Sequence, residues 1–101
     1  MNMQMIMQQA KKMQAQLLKE QEELEKTEYV GTSSLVNIKI NGKYEVLNVK
    51  INLPEGDNIV ADDREMFEDM LMVAFNDAVK KVNDDKEKKM GKYGQGLAGL
   101  M

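Results

Sequence analysis

The segment LVNIKINGKYEV at residues 35–46 decides how this chain folds. Val36, Ile38 and Ile40 alternate with polar residues, which is the period of a β-strand that buries one face. Asn41 and Gly42 follow, and these are the residue types that a two-residue type I′ turn requires. The segment therefore predicts a β-hairpin that turns at Asn41 and Gly42.

Two further observations complete the predicted sheet. The apolar residues change phase beyond Val46, which predicts a bulge or a twist near that residue. Residues 28–30 have the composition of another short strand, so the whole region is expected to form a small antiparallel meander. Lys39, Lys43 and Lys50 are expected to face solvent, where charged side chains are usually found.

A long helix is predicted before the sheet. Residues 3 to about 26 contain no glycine or proline, and Ile6 is their only β-branched residue. Positions at alternating spacings of three and four are apolar there, at Met3, Ile6, Ala10, Met13, Leu17 and Leu24, and only Glu20 interrupts the series. Such a narrow seam is typical of a helix that packs on another helix, within the subunit or across a dimer.

A second long helix is predicted after the sheet. Residues 53–61 contain the only proline and read as a loop, and Asp62 and Glu65 are spaced as a capping box. This helix is expected to run to about Met90, with Gly91 as its C-terminal stop. Its apolar stripe consists of Phe67, Leu71, Ala74, Ala78 and Val82.

The predicted fold class is α+β: a long N-terminal helix, a small antiparallel β-meander and a long C-terminal helix. The 101 residues suffice for one domain, which we assign to residues 1–90, followed by a glycine-rich flexible tail over residues 91–101. Helices of about 36 Å and 42 Å are longer than strands of about 17–20 Å, so they must extend beyond the sheet. If they are antiparallel, their free ends form one helical arm.

The charges are unevenly distributed. Counting acids against lysine and arginine gives +3 for residues 1–19, −9 for residues 20–79 and +3 for residues 80–101, within a net charge of −3. The two basic segments are the free ends of the predicted helices, so the arm would present a cationic surface to a polyanion such as nucleic acid. The candidate DNA-binding residues are Lys11, Lys12, Lys19, Lys86, Lys88, Lys89 and Lys92. The alternative is that these lysines only solubilise helix surfaces.

Base-specific recognition most often uses arginine, and the only arginine, Arg64, lies in the acidic stretch. Weak sequence specificity is therefore expected. The chain has no cysteine and no histidine, which excludes a disulfide framework and thiolate metal sites and removes the commonest general base. We expect no enzyme, cofactor, metal or small-molecule substrate. No apolar run approaches the roughly 20 residues that span a bilayer, so a cytoplasmic protein without a membrane partner is expected.

Three other patterns have simpler explanations. Gly94, Gly96 and Gly99 match a dinucleotide-binding spacing, but they follow a helix and do not connect a strand to one. The methionines at positions 1, 3, 5 and 7 could attract Cu(I), yet residues two apart point to different sides of a helix, so packing is favoured. The acids over residues 62–69 are explained by their place at a helix N-terminus.

Three segments in this order resemble a known family: MQQAKKMQ at residues 7–14, LVNIKINGKYEV at residues 35–46 and REMFEDMLMVAFNDAVKKV at residues 64–82. Over about residues 4–90 the chain is similar to the YbaB/EbfC family of small bacterial nucleoid-associated DNA-binding proteins. The resemblance implies a tweezer-like homodimer with helical arms on a shared β core. It also implies binding of double-stranded DNA with low sequence preference, a change in DNA conformation, nucleoid localisation, and roles in gene regulation and nucleoid organisation.

A different class of function remains open from the residues. The helical seam and the acidic face could instead belong to a protein-interaction module that binds a replication, repair or regulatory protein.

Overall fold

The computed structural model describes residues 2–100 of the chain and the side chains of residues 2–91. The predicted α+β class and the order of elements are confirmed. The chain forms α1 (Met3–Lys26), β1 (Glu28–Ser33), β2 (Val36–Asn41), β3 (Val46–Ile51), a short 3₁₀ turn (Ala61–Asp63) and α2 (Arg64–Leu100).

The three strands form an antiparallel sheet in the order β1-β2-β3. The register between β2 and β3 shifts at one point: Lys39 pairs with Asn48, whereas the next residue, Ile40, pairs with Val46. Leu47 is thus the extra residue of a bulge. The bulge predicted near Val46 is confirmed.

The predicted two-residue turn at Asn41 and Gly42 is wrong, because the loop is longer. The Tyr44 N–H donates to the Asn41 carbonyl at 3.0 Å, and Tyr44 has a left-handed backbone with φ 64°. Asn41 Oδ1 accepts hydrogen bonds from the N–H groups of Lys43 and Glu45 at 2.8 and 3.1 Å. Gly42 has a different role, since a Cβ there would lie 2.0 Å from the Leu24 carbonyl oxygen. It allows the end of α1 to contact the turn.

The core lies between α2 and the first two strands. Its buried residues are Leu24, Tyr29, Val36, Ile38, Ile40, Phe67, Ala74, Ala78 and Val82. Close contact requires small residues here, because a Cβ on Gly31 would lie 2.0 Å from the Ala74 carbonyl oxygen. The apolar stripe predicted for the second helix is therefore confirmed as the face that packs on the sheet.

Both predicted ends of the second helix need correction. Helical structure begins with the 3₁₀ turn, where Asp63 Oδ2 accepts from the Val60 N–H at 3.3 Å. The side-chain cap thus involves Val60 and Asp63 and not the predicted pair Asp62 and Glu65. The predicted stop at Gly91 is wrong, since α2 continues to Leu100. A glycine inside a helix costs only about 1 kcal/mol, and no proline follows to interrupt the backbone. The side chains of residues 92–101 lie outside the described part, so the flexible tail stays a prediction.

The molecule is elongated, as the helix lengths predict. Its extents are 72 × 20 × 15 Å and its radius of gyration is 20.2 Å, compared with about 13 Å for a compact domain of this length. Among the described residues, α1 contacts only β2 and α2. Most of α1 thus lies beyond the sheet, and together with α2 after Asp85 it forms what we call the arm. None of the helices described is long and apolar enough to cross a membrane.

Candidate nucleic-acid interface

The first part of α1, up to Lys19, carries an excess of positive charge. Lys11, Lys12 and Lys19 are exposed, and residues 2–19 contain no acid. Lys12 and Lys19 are seven residues apart, so they lie on the same side of the helix about 10.5 Å from each other. Lys26 extends this row by another seven residues, which the sequence reasoning missed although the spacing is visible in the sequence.

The lysines on the α2 side of the arm differ in their exposure to solvent. Lys86 and Lys88 are exposed, whereas Lys89 is half-buried with its Nζ 3.2 Å from Asp85 Oδ2. Lys89 therefore differs from Lys86 and Lys88, because Asp85 compensates part of its charge within the fold. The side chain of Lys92 lies outside the described residues.

Asp85 also connects the arm to the sheet. The Tyr29 hydroxyl donates a hydrogen bond to Asp85 Oδ2 at 2.5 Å. Burial raises the pKa of Tyr29 to about 12, and the hydrogen bond to Asp85 and its negative charge act in the same direction. The same hydrogen bond lowers the pKa of Asp85, with a further contribution from Lys89. The i,i+4 spacing indicates the Asp85–Lys89 pair, but no sequence signal identifies Tyr29 as their partner.

A second group of polar contacts fixes α2 along β1. Lys81 Nζ donates to the Val30 carbonyl at 2.7 Å and lies 3.4 Å from Asp77 Oδ2. Asp77 accepts the Thr32 N–H at 3.0 Å, and this bond, followed by Lys81, lowers the pKa of Asp77. Lys81 therefore stabilises the fold, unlike the exposed lysines of the arm.

The opposite end of the molecule is acidic. The loop and the first turns of α2 carry seven acids, at Glu55, Asp57, Asp62, Asp63, Glu65, Glu68 and Asp69. Arg64, the only arginine, lies among them and pairs with Glu68 at 3.6 Å. In the part of the chain that the structure describes, no group of acids is arranged to hold a metal ion. The two ends thus differ in charge, as the sequence predicts.

On the face of the sheet where α2 packs, the third strand, β3, is left uncovered. Val46, Val49 and Ile51 pair with buried residues of β2 and so lie on the α2 side of the sheet, yet they are 51%, 46% and 40% exposed. The cause is that α2 packs on β1 and β2 but does not contact β3. We call these three residues the open face. A contiguous exposed apolar surface of this kind is typical of a protein interface.

These features define the class of protein: a small elongated α+β protein with a basic helical arm, an acidic opposite end and an uncovered apolar sheet face. The model of the YbaB/EbfC DNA-binding family matches residues 1–97. The chain belongs to this family.

Individual relatives support the assignment. A nucleoid-associated protein of Francisella philomiragia is 45% identical over 82% of this chain and 73% of its own length. A nucleoid-associated protein of Clostridium novyi is 39% identical over 96% of this chain and 84% of its own. The crystal structure of an uncharacterized Helicobacter pylori protein shares the fold, with a TM-score of 0.72 at 20% identity over 92% of this chain and 97% of that one.

Proposed function

We propose that this protein is a nucleoid-associated protein that binds double-stranded DNA as a homodimer through its arms. The observation that carries the proposal is the charge of α1: residues 2–19 bear three exposed lysines and no acid, within an acidic protein. Lysines in this arrangement neutralise phosphates and release condensed counterions. The family assignment supports the same function, and the names of the relatives support localisation at the nucleoid.

Low sequence specificity follows from the side chains available. Phosphate contacts carry no sequence information, whereas base readout in the major groove relies mainly on arginine and amide side chains. Arg64 pairs with Glu68 at the acidic end, away from the lysines of the arm. We therefore assign an affinity in the non-specific range, about 10⁻⁴ to 10⁻⁶ M at physiological salt for one set of contacts.

A homodimer is supported by the open face of β3. Two copies that cover this face on each other would remove its three apolar side chains from water, and each dimer would then have two arms. Two linked arms raise the apparent affinity for one DNA molecule, because the second contact is intramolecular. The acidic ends would repel DNA from the rest of the surface. A protein of this shape would bridge or bend DNA and so influence gene expression and nucleoid organisation.

A gel-shift titration of the unmodified protein on a duplex at several salt concentrations tests the function. Binding should weaken with salt, with a log–log slope of about −0.9 for each phosphate neutralised. No retardation of the duplex at low salt would contradict the proposal.

Charge-reversal variants test which lysines contact DNA. Lys11→Glu with Lys12→Glu changes two exposed residues of the arm. Lys43→Glu with Lys50→Glu changes a matched pair of exposed lysines, one in the β2–β3 loop and one on β3. The arm variant should lose most of its affinity, because two attractive charges become repulsive at the phosphates, while the sheet variant should bind like the unmodified protein. Equal losses in the two variants would move the DNA contact away from the arm.

A further inference from the structure

The free end of α1 is apolar and exposed. Met3, Met5, Ile6 and Met7 are 73%, 57%, 48% and 56% exposed. The seam predicted along α1 is therefore buried within the chain only at its other end, at Leu24. We call these four residues the apolar tip.

The apolar tip does not have the geometry of a helix-packing surface. At 3.6 residues per turn, Met5, Ile6, Met3 and Met7 point successively around more than half of the helix circumference. A neighbouring helix covers only a narrow stripe of such a surface. An occupant that covers the whole tip must contact it from several sides.

The charges around the tip identify the chemistry of that occupant. Lys11 and Lys12 follow Met7 within five residues, which is about 7.5 Å along the helix axis, and there is no acid before Glu20. The first turn of α1 has no acidic residue either, so the positive end of the helix dipole is not compensated there. Apolar side chains ahead of cations match a DNA minor groove that the inserted side chains have opened, because the base steps there lie between two rows of phosphates. The undeformed groove is only about 6 Å wide, narrower than a helix of about 10–12 Å, so entry of the tip requires the duplex to bend.

We propose that the apolar tip enters the DNA minor groove and wedges methionine or isoleucine side chains between base steps, while Lys11 and Lys12 bind the flanking phosphates. Insertion of such wedges partly unstacks the bases and bends the duplex toward the major groove. This inference rests on the proposed function and adds its mechanism: the arm changes the shape of DNA as well as binding it. Flexible pyrimidine–purine steps would be the preferred points of insertion.

A variant with Met3, Met5, Ile6 and Met7 all replaced by glutamine tests the wedge. Glutamine has nearly the helix propensity of methionine and carries no charge, so the helix and the lysines are retained. Leu18→Gln is the matched control, because Leu18 is exposed on the same helix, nearer the sheet. Circular dichroism verifies that both variants are as helical as the unmodified protein, and any tag is placed at the C-terminus to leave the tip free.

The probe is a duplex of about 30 base pairs, long enough to show a bend, with 2-aminopurine at a central TA step and dyes at its two ends. The unmodified protein and Leu18→Gln should raise 2-aminopurine fluorescence and bring the two ends closer. The tip variant should bind with the same salt slope, because its lysines are unchanged, but should give neither signal.

Three results would overturn the wedge. The first is a tip variant that unstacks and bends the probe as the unmodified protein does. The second is an unmodified protein that binds without unstacking. The third is a change of oligomeric state in the tip variant, measured by sedimentation, which would make the tip a contact between copies of this chain. Absence of any binding by the unmodified protein would instead overturn the proposed function, and the wedge with it.

Discussion

The Tyr29 hydroxyl donates a hydrogen bond to Asp85 Oδ2 at 2.5 Å, at the point where the arm leaves the sheet. Tyr29 is the second residue of β1 and is buried, and Asp85 also binds Lys89 of α2. One carboxylate therefore joins the sheet, the arm and a candidate DNA-binding lysine. Three of the predictions below follow from this contact.

Removal of the Tyr29 hydroxyl should destabilise the fold. Tyr29→Phe leaves the Asp85 carboxylate without its donor from the sheet, and we expect the free energy of unfolding to fall by about 1–2 kcal/mol. Urea denaturation measures the change. Tyr44→Phe is the control, because Tyr44 also donates to a residue of α2, Asn83, but is exposed to water. Its loss should be smaller, and equal losses would contradict the importance of the buried bond.

Alkaline pH should destabilise the protein through Tyr29. Its pKa is raised from 10.0 to about 12 in the folded chain. A group whose pKa is higher in the folded state stabilises that state fully below the unfolded pKa, and the stabilisation is lost as the pH rises through the folded value. The contribution of Tyr29 should thus be complete below pH 10 and decline toward pH 12.

A spectrophotometric titration of the phenolate band provides the measurement. The difference between the unmodified protein and Tyr29→Phe should show one tyrosine that ionises near pH 12. A difference curve with its midpoint at the ordinary value of about 10 would contradict the prediction.

Asp85→Asn should strengthen DNA binding if Lys89 contacts phosphates. The substitution removes the negative charge 3.2 Å from the Lys89 ammonium group, so Lys89 becomes available to DNA. The salt slope of binding should become steeper by up to about 0.9, the value for one phosphate. Asp77→Asn is the matched control, because it removes the carboxylate beside Lys81, whose Nζ still donates to the Val30 carbonyl of the sheet. A slope that is the same in both variants would exclude Lys89 from the contact.

Replacing Gly31 of β1 and Gly91 of α2 by alanine should have opposite effects on the free energy of unfolding. Gly31→Ala places a Cβ 2.0 Å from the Ala74 carbonyl oxygen and 2.4 Å from the Ala78 nitrogen, so the helix must move away from β1. We expect a loss of at least about 2 kcal/mol in the free energy of unfolding. Among the described side chains, Gly91→Ala meets only the Glu87 Cγ, at 3.9 Å, and should gain about 0.5–1 kcal/mol by better helix propensity. Thermal denaturation compares them, and a stable Gly31→Ala would contradict the close packing.

Introducing positive charges on the open face of β3 should dissociate the proposed dimer. Val49→Lys with Ile51→Lys puts two cations on side chains that are already half-exposed in the single chain, so the subunit should remain folded. Sedimentation should change from dimer to monomer, because burying two unpaired charges is unfavourable. Met66→Lys, on the exposed start of α2, is the control and should remain dimeric. A dimer that persists in the β3 variant would place the interface elsewhere.

Helices, strands and the bulge could be predicted from local sequence patterns, because each depends on the periodicity of apolar residues along a short stretch of chain. The alternation of Val36, Ile38 and Ile40 gave one strand with a buried face, and the phase change after Val46 gave the bulge. The stripe from Phe67 to Val82 gave the face of α2 that packs on the sheet. The error in the turn has a tertiary cause: Asn41 and Gly42 matched the preferences of a tight turn, but Gly42 allows the contact with Leu24 of α1, which a local turn preference does not contain.

The sequence by itself determined the two long helices, the meander between them and the separation of basic ends from an acidic middle. These features depend on periodicity and composition along short stretches of chain. Only the tertiary structure decided that β3 stays uncovered and that α2 is anchored to Tyr29 through Asp85. Each of these features depends on residues far apart in the chain. Their approach is set by the close packing of α2 over Gly31 and by the width of α2, which covers β1 and β2 but not β3.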